Sequence, residues 1–300
     1  ISILVNTETH YIEQYLAPLY TQSSTYPLKI GDDCALIDTK DKILTSVDSS
    51  VEEQHFPKDL NSYYVAYRSV AVAISDIYAM GGIPESYLLS ISHPQPSDLW
   101  FEKFSKGIEK VNQDYNLSLL GGDMVKGQLA ITVTVFGRAL ENICERANAK
   151  LGDNIYLSGP LGLGKAGLEG YQKGNKDQPS HYLMPKLISN YIITKLNPIM
   201  NAAIDVSDGL IIDLGRICSA SGVGAEILLS NIHHNSDPND LVAGDDYVLC
   251  FTSSSPKENI INIDQSIHCI GKIVKGNRVL VVNHKGRQLD FERDGWDSFK

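Results

Sequence analysis

Residues 60–80 carry the pattern that most constrains the fold. They read as a long helix rich in Ala, Val and Tyr, stopped by the pair Gly81-Gly82. Within its apolar run, Val72-Ala73-Ile74-Ser75-Asp76-Ile77-Tyr78-Ala79, stands the carboxylate of Asp76. A carboxylate in such a setting is costly to bury without a partner, so a metal or ligand role is read for it. Helical and strand patterns interleave on both sides of this helix. Residues 10–20 read as a first helix. Residues 34–38 and 42–48 read as strands, the second delivering Asp48 at its end. A strand at 87–91, a helix from Ser97 to about 115, and strands at 117–120 and 130–136 follow.

The polar and charged stretch 138–152 marks a boundary, giving an N-terminal domain over 1–140 and a C-terminal domain over 141–300. The second half continues in the same style. Strands are read at 155–158, 203–206, 225–229, 247–251, 267–273 and 279–282, and helices at 164–174, 181–196 and 208–221. A chain of 300 residues suits two domains. The mixture favours an α+β fold over a doubly wound parallel sheet.

Charge narrows the partners. There are 26 Lys+Arg against 36 Asp+Glu, a formal net charge of -10. Such a balance speaks against a general nucleic-acid binder and admits anionic ligands only with metal cations between. Cys34, Cys144, Cys218, Cys250 and Cys269 are scattered, without C-x-x-C spacing, and read as free or buried thiols in a reducing cytoplasm. No apolar run approaches a membrane span, and residues 1–9 lack the pattern of a signal peptide.

The acids fall in a telling way. Asp32-Asp33 follow Gly31, Asp123 follows Gly121-Gly122, Asp205 and Asp208 bracket Val206-Ser207 before Gly209, and Asp245-Asp246 follow Gly244. Taken singly, each is an ordinary turn or helix cap. Taken together they supply oxygen ligands for Mg²⁺ at places where glycine lets the backbone approach a ligand. Gly159-Pro160-Leu161-Gly162-Leu163-Gly164-Lys165 fits the phosphate-loop spacing G-x-x-x-x-G-K, but Ala166 stands where the Mg²⁺-binding hydroxyl belongs. It reads instead as a strand–turn–helix junction whose glycines permit close packing. No Ser/His/Asp arrangement emerges, and no catalytic base is expected.

These stretches, with Val47-Asp48 through His55-Phe56 and the terminal Gly295-Trp296-Asp297, resemble the thiamine-monophosphate kinase family. That family shares a superfamily with aminoimidazole ribonucleotide synthetase and selenophosphate synthetase. The resemblance implies a two-domain synthetase-like fold, with an N-terminal α/β domain whose sheet pairs in a homodimer and a C-terminal α+β domain. It implies ATP-dependent phosphorylation of thiamine monophosphate to thiamine diphosphate with several Mg²⁺ ions. The alternative is another ATP-dependent synthetase of the superfamily, of the purine-biosynthetic or selenophosphate type. By resemblance, Asp33, Ser46, Asp48, Asp76, Asp123, Asp205 and Asp208 would hold metal. Gly122, Asp123, Arg146 and Ser207 would meet ATP, and His55, Asp245 and Trp296 the thiamine substrate. Val47, Asn148 and Asp245 stand where the family commonly has Thr, Gly and Glu.

Overall fold

The computed structural model describes residues 11–19, 24, 40, 42–176, 178–233, 238–292 and 295–296, with Ile12 and Glu13 described by backbone alone. The strand expected at 34–38 and the acids Asp32 and Asp33 lie outside these residues. The chain divides into two compact units, one of Ile1–Ile77 with Pro84–Arg138, the other of Tyr78–Ile83 with Ala139–Lys300.

The first unit holds strands β1 (Ile43–Val51), β2 (Gly82–Ser92), β3 (Ser118–Val125) and β4 (Ala130–Ala139), in spatial order β1-β4-β2-β3. β1 and β4 are antiparallel, and β2 and β3 parallel. Its helices are α1 (Ser62–Ala79) and α2 (Asp98–Tyr115). The period-two pattern of β4 buries Ile131, Val133 and Val135 completely, and these pair with Ser50, Asp48 and Ser46 of β1. Directly paired residues share a face, so this serine–aspartate row belongs to the covered side of the sheet. α2 starts where the Ser97 side chain accepts from the Trp100 amide and stops at Asn116 in the left-handed region. Its Phe101, Phe104, Ile108 and Val111 are wholly buried. A Cβ on Gly107 would lie 2.2 Å from the Tyr63 carbonyl, so glycine lets α2 approach α1 closely.

The second unit adds β5 (Asn154–Leu157), β6 (Ala203–Asp205), β7 (Gly224–Leu228), β8 (Leu249–Ser253), β9 (His268–Val274), β10 (Val279–Val282) and β11 (Gln288–Leu289). They form one sheet ordered β11-β10-β7-β9-β5-β8-β6. Only β10 and β7 are parallel; the other recorded pairings are antiparallel. Its helices are α3 (Leu163–Gln172), α4 (Asn190–Leu196), α5 (Leu210–Ser221) and α6 (Lys257–Ile261). Ile155, Leu157, Ile204, Leu210, Leu214, Ile217 and Ile270 meet in one apolar core. Mixed sheets with antiparallel neighbours make the fold α+β.

Several elements depart from the sequence pattern. β1 runs on to Val51, so Asp48 is an interior strand residue rather than a terminal one. β3 extends through Gly121-Gly122-Asp123, because Gly122 backs onto Leu89, where a Cβ would sit 1.7 Å from the carbonyl oxygen. The helix read at 181–196 exists only as Asn190–Leu196; Pro185 cannot donate to a helical ladder, and Ser189 caps the shorter helix. The first helix is irregular, a π-helical turn at Ile12–Leu16 followed by a 3-10 turn at Ala17–Leu19. The strand expected from Tyr247 begins at Leu249, and Tyr247 has a left-handed backbone.

Candidate active site

Two clusters of acids form, one in each unit. In the first, Ser46 and Asp48 stand two residues apart on the covered face of β1. The Ser46 hydroxyl donates to Asp76 Oδ2 across 2.5 Å, tying strand to helix. Asp48 Oδ1 accepts the Ser49 amide at 2.7 Å. Burial raises the Asp48 carboxyl above its usual range; the Ser49 amide opposes this, and the charge of Asp76 adds to the rise. Two carboxylates that repel each other beside a hydroxyl form an oxygen-only set with too much negative charge. That set fits Mg²⁺, which would draw its other ligands from phosphates and water. Among the described residues, no three His, Cys, Asp or Glu side chains converge as a ready-made protein metal site. Asp33 lies outside the described residues.

His55 closes the turn after β1; its Nδ1 accepts the Val51 amide at 3.0 Å, and the residue is exposed. Gly122 and Asp123 are exposed on β3, at the opposite edge of the sheet from β1.

In the second unit, three segments are woven together by backbone hydrogen bonds. Asp245 donates its amide to the Ser207 carbonyl at 2.9 Å, Tyr247 to Val206 at 2.8 Å, and Trp296 to Asp208 at 2.9 Å. Asp205, Ser207, Asp208, Asp245 and Trp296, more than ninety residues apart in sequence at the extremes, therefore share one locale. A Cβ on Gly244 would lie 2.4 Å from the Ser207 carbonyl, so only glycine permits this crossing. Trp296 is 48% exposed, a large apolar surface open to a ligand. Arg146 sits apart from these bonds, exposed in a short turn whose carbonyl accepts from Ser221 Oγ at 2.7 Å.

Residues 31–139 match the family described as AIR synthase related protein, N-terminal domain, and residues 150–280 its C-terminal counterpart. The chain is 38% identical to the thiamine-monophosphate kinase of Buchnera aphidicola subsp. Schizaphis graminum, over 90% of this chain and 92% of that one. The chain belongs to the thiamine-monophosphate kinase family. The structure of the family member from Stenotrophomonas maltophilia K279a superposes with a TM-score of 0.79 at 29% identity, over 86% of this chain and 91% of that one. AaThiL complexed with AMPPCP and TMP superposes with a TM-score of 0.75 at 28% identity, over 91% and 92%.

Two residues of this family member escaped the sequence reading. Asp213, fully buried in the first turn of α5, accepts through Oδ2 from the consecutive amides of Ser207, Asp208 and Gly209 at 3.1, 3.0 and 3.1 Å. Burial pushes its carboxyl up to about 6, against the pull of Arg216. Arg216 bonds Asp213 Oδ1 with one nitrogen and Asp208 Oδ2 with another, the latter at 2.6 Å. The Asp208 side chain is thus held by Arg216, and the helix N-cap position falls to Gly209. A carboxylate in a first helical turn was visible as favourable to the helix dipole. Its real target is the loop before the helix, where Gly209 takes a φ of 128° that favours glycine.

Proposed function

We propose that this chain transfers the γ-phosphoryl group of ATP to the phosphate of thiamine monophosphate, yielding thiamine diphosphate and ADP. The observation that carries this reading is the likeness of both units, over 91% of the chain, to a family structure complexed with AMPPCP and TMP. AMPPCP has the charges and shape of ATP, and TMP is read here as the thiamine acceptor.

The two acid clusters support the chemistry. Phosphoryl transfer brings two polyanions together, and two unit charges 4 Å apart repel by about 4 kcal/mol at an effective dielectric of 20. Mg²⁺ bound between the phosphates would supply charge neutralisation and orientation. We assign metal binding to Asp33, Asp48, Asp76 and Asp123 with Ser46, and to Asp205 and Asp208. Asp76 is oriented by the Ser46 hydroxyl, and Asp208 by Arg216. Gly122, Asp123, Arg146 and Ser207 would meet ATP; His55, Asp245 and Trp296 would meet the thiamine substrate. Attack by an acceptor phosphate oxygen in line with the γ-phosphorus needs no general base, because the second pKa of a phosphate monoester is about 6.

A second copy of the chain would cover the open face of the first sheet, where Val47 is 62% exposed and Ser49 bonds Thr132. The buried free thiols Cys144, Cys218 and Cys250 suit a reducing cytoplasm. No described helix is long and apolar enough to cross a membrane.

The test is chromatography of products after incubation with ATP, Mg²⁺ and thiamine monophosphate. Stoichiometric ADP and thiamine diphosphate are expected. ADP release that ignores thiamine monophosphate, or that answers to a different acceptor, refutes the reading.

A further inference from the structure

The glycine-rich segment 159–165 has the spacing of a phosphate loop, yet its amides are already occupied. Gly162 N–H donates to Asp246 Oδ2 at 2.7 Å and Gly164 N–H to Asp246 Oδ1 at 3.0 Å, and the Leu163 amide bonds the same carboxylate. Asp246 is fully buried. Lys165, the residue that would reach a phosphate, bonds Asp240 Oδ1 at 3.1 Å instead. The chain's own carboxylate takes the seat of an anion at the start of α3.

The residues on either side of Asp246 are strained. Asp245 and Tyr247 both have left-handed backbones, with φ of 69° and 50°. Such conformations are disfavoured in residues with side chains and persist only where the surroundings over-determine them. Here the surroundings do so. The Asp246 carboxylate is pinned from below, and its carbonyl meets His181 Nε2 at 2.7 Å. The amides of Asp245 and Tyr247 are tied to Ser207 and Val206. A Cβ on Gly164 would stand 2.3 Å from the Asp245 carbonyl, so the glycine is required by the turn itself. The strained shape brings the Tyr247 hydroxyl to Asp245 Oδ1 at 3.0 Å, fixing that carboxylate.

We infer that Asp246 is a positioning residue: anchored on the amides of 162–164, it holds the 245–247 turn in the conformation that aims Asp245 at the thiamine substrate. The inference rests on the proposed function, in which Asp245 meets that substrate. The glycine-rich segment then serves as the socket of an internal clamp rather than a nucleotide site.

The experiment is steady-state kinetics of Asp246→Asn, Tyr247→Phe and Asp245→Asn, with ATP and thiamine monophosphate varied separately. In Asp246→Asn the amide oxygen keeps one N–H donor while its NH₂ opposes another, so the turn loosens. KM for thiamine monophosphate should rise about tenfold while KM for ATP stays within about twofold. Tyr247→Phe should follow in the same direction with a smaller rise. Should Asp246→Asn not fold, Tyr247→Phe and His181→Ala carry the same test. Unchanged KM values, or equal rises for both substrates, overturn the inference provided Asp245→Asn raises KM for thiamine monophosphate. If Asp245→Asn leaves that KM untouched, the substrate role of Asp245 fails, and the inference with it.

Discussion

Replacement of Asp213 separates two things that one carboxylate does. At pH 8 the group is ionised, since its carboxyl lies at about 6. A rise of about two units over a free carboxylate means that holding the charge in the fold costs about 3 kcal/mol. Asp213→Asn removes that cost. That cost is already net of the attraction of Arg216, so the lost charge pair adds no separate penalty. The remaining amide oxygen can still accept from Ser207, Asp208 and Gly209. Asp213→Asn is therefore expected to be at least as stable as wild type. Asp213→Ala leaves the buried Gly209 amide without an acceptor, at about 1–3 kcal/mol, and loses the Arg216 bond as well. The amides of Ser207 and Asp208 are half-exposed and recover water. The alanine variant should lie about 1–3 kcal/mol below the asparagine variant. Urea unfolding at pH 8, followed by circular dichroism, reads the order directly. Both variants should lose activity, because Arg216 no longer has a fixed partner from which to hold Asp208. Equal midpoints for Ala and Asn would refute the claim that this carboxylate organises the loop through its amides.

The remaining expectations concern the other acids. Asp76→Asn and Asp48→Asn should each abolish turnover while the circular dichroism spectrum and unfolding midpoint stay close to wild type; full activity of both at low magnesium would refute the metal assignment. Burial raises the Asp246 carboxyl to about 7. The folded state therefore binds a proton that the unfolded chain gives up near pH 4. Its contribution to stability is complete below about 4 and is lost as pH rises through about 7, at about 1.4 kcal/mol per pH unit between. Asp246→Asn should flatten the fall of the urea midpoint between pH 4.5 and 7, and an unchanged slope would show that this group does not titrate in that window.

Much of the scaffold was legible because it rests on local periodicity. The alternation of Ile131, Val133 and Val135 announced β4, Ser97 announced the start of α2, and Gly81-Gly82 the end of α1. The pattern failed where neighbours in space overrode it. Gly121-Gly122-Asp123 looked like a loop, yet pairing with β2 draws it into a strand. Residues 181–189 looked helical, yet Pro185 and the cap at Ser189 confine the helix to Asn190–Leu196.

The same division runs through the site. Sequence alone determined which residues were chemically equipped: a carboxylate in an apolar helix, acids beside glycines, and a glycine-rich segment lacking its metal-binding hydroxyl. Tertiary structure decided which of them meet. Ser46 reaches Asp76 across 30 positions, and Gly162 reaches Asp246 across 84. Residue type and spacing encode the backbone period of a helix or strand, whereas a contact between two elements depends on how their covered faces are brought together. That is why Asp76 could be singled out without its partner, and why Asp213 and Asp246 emerged as anchors only in the folded chain.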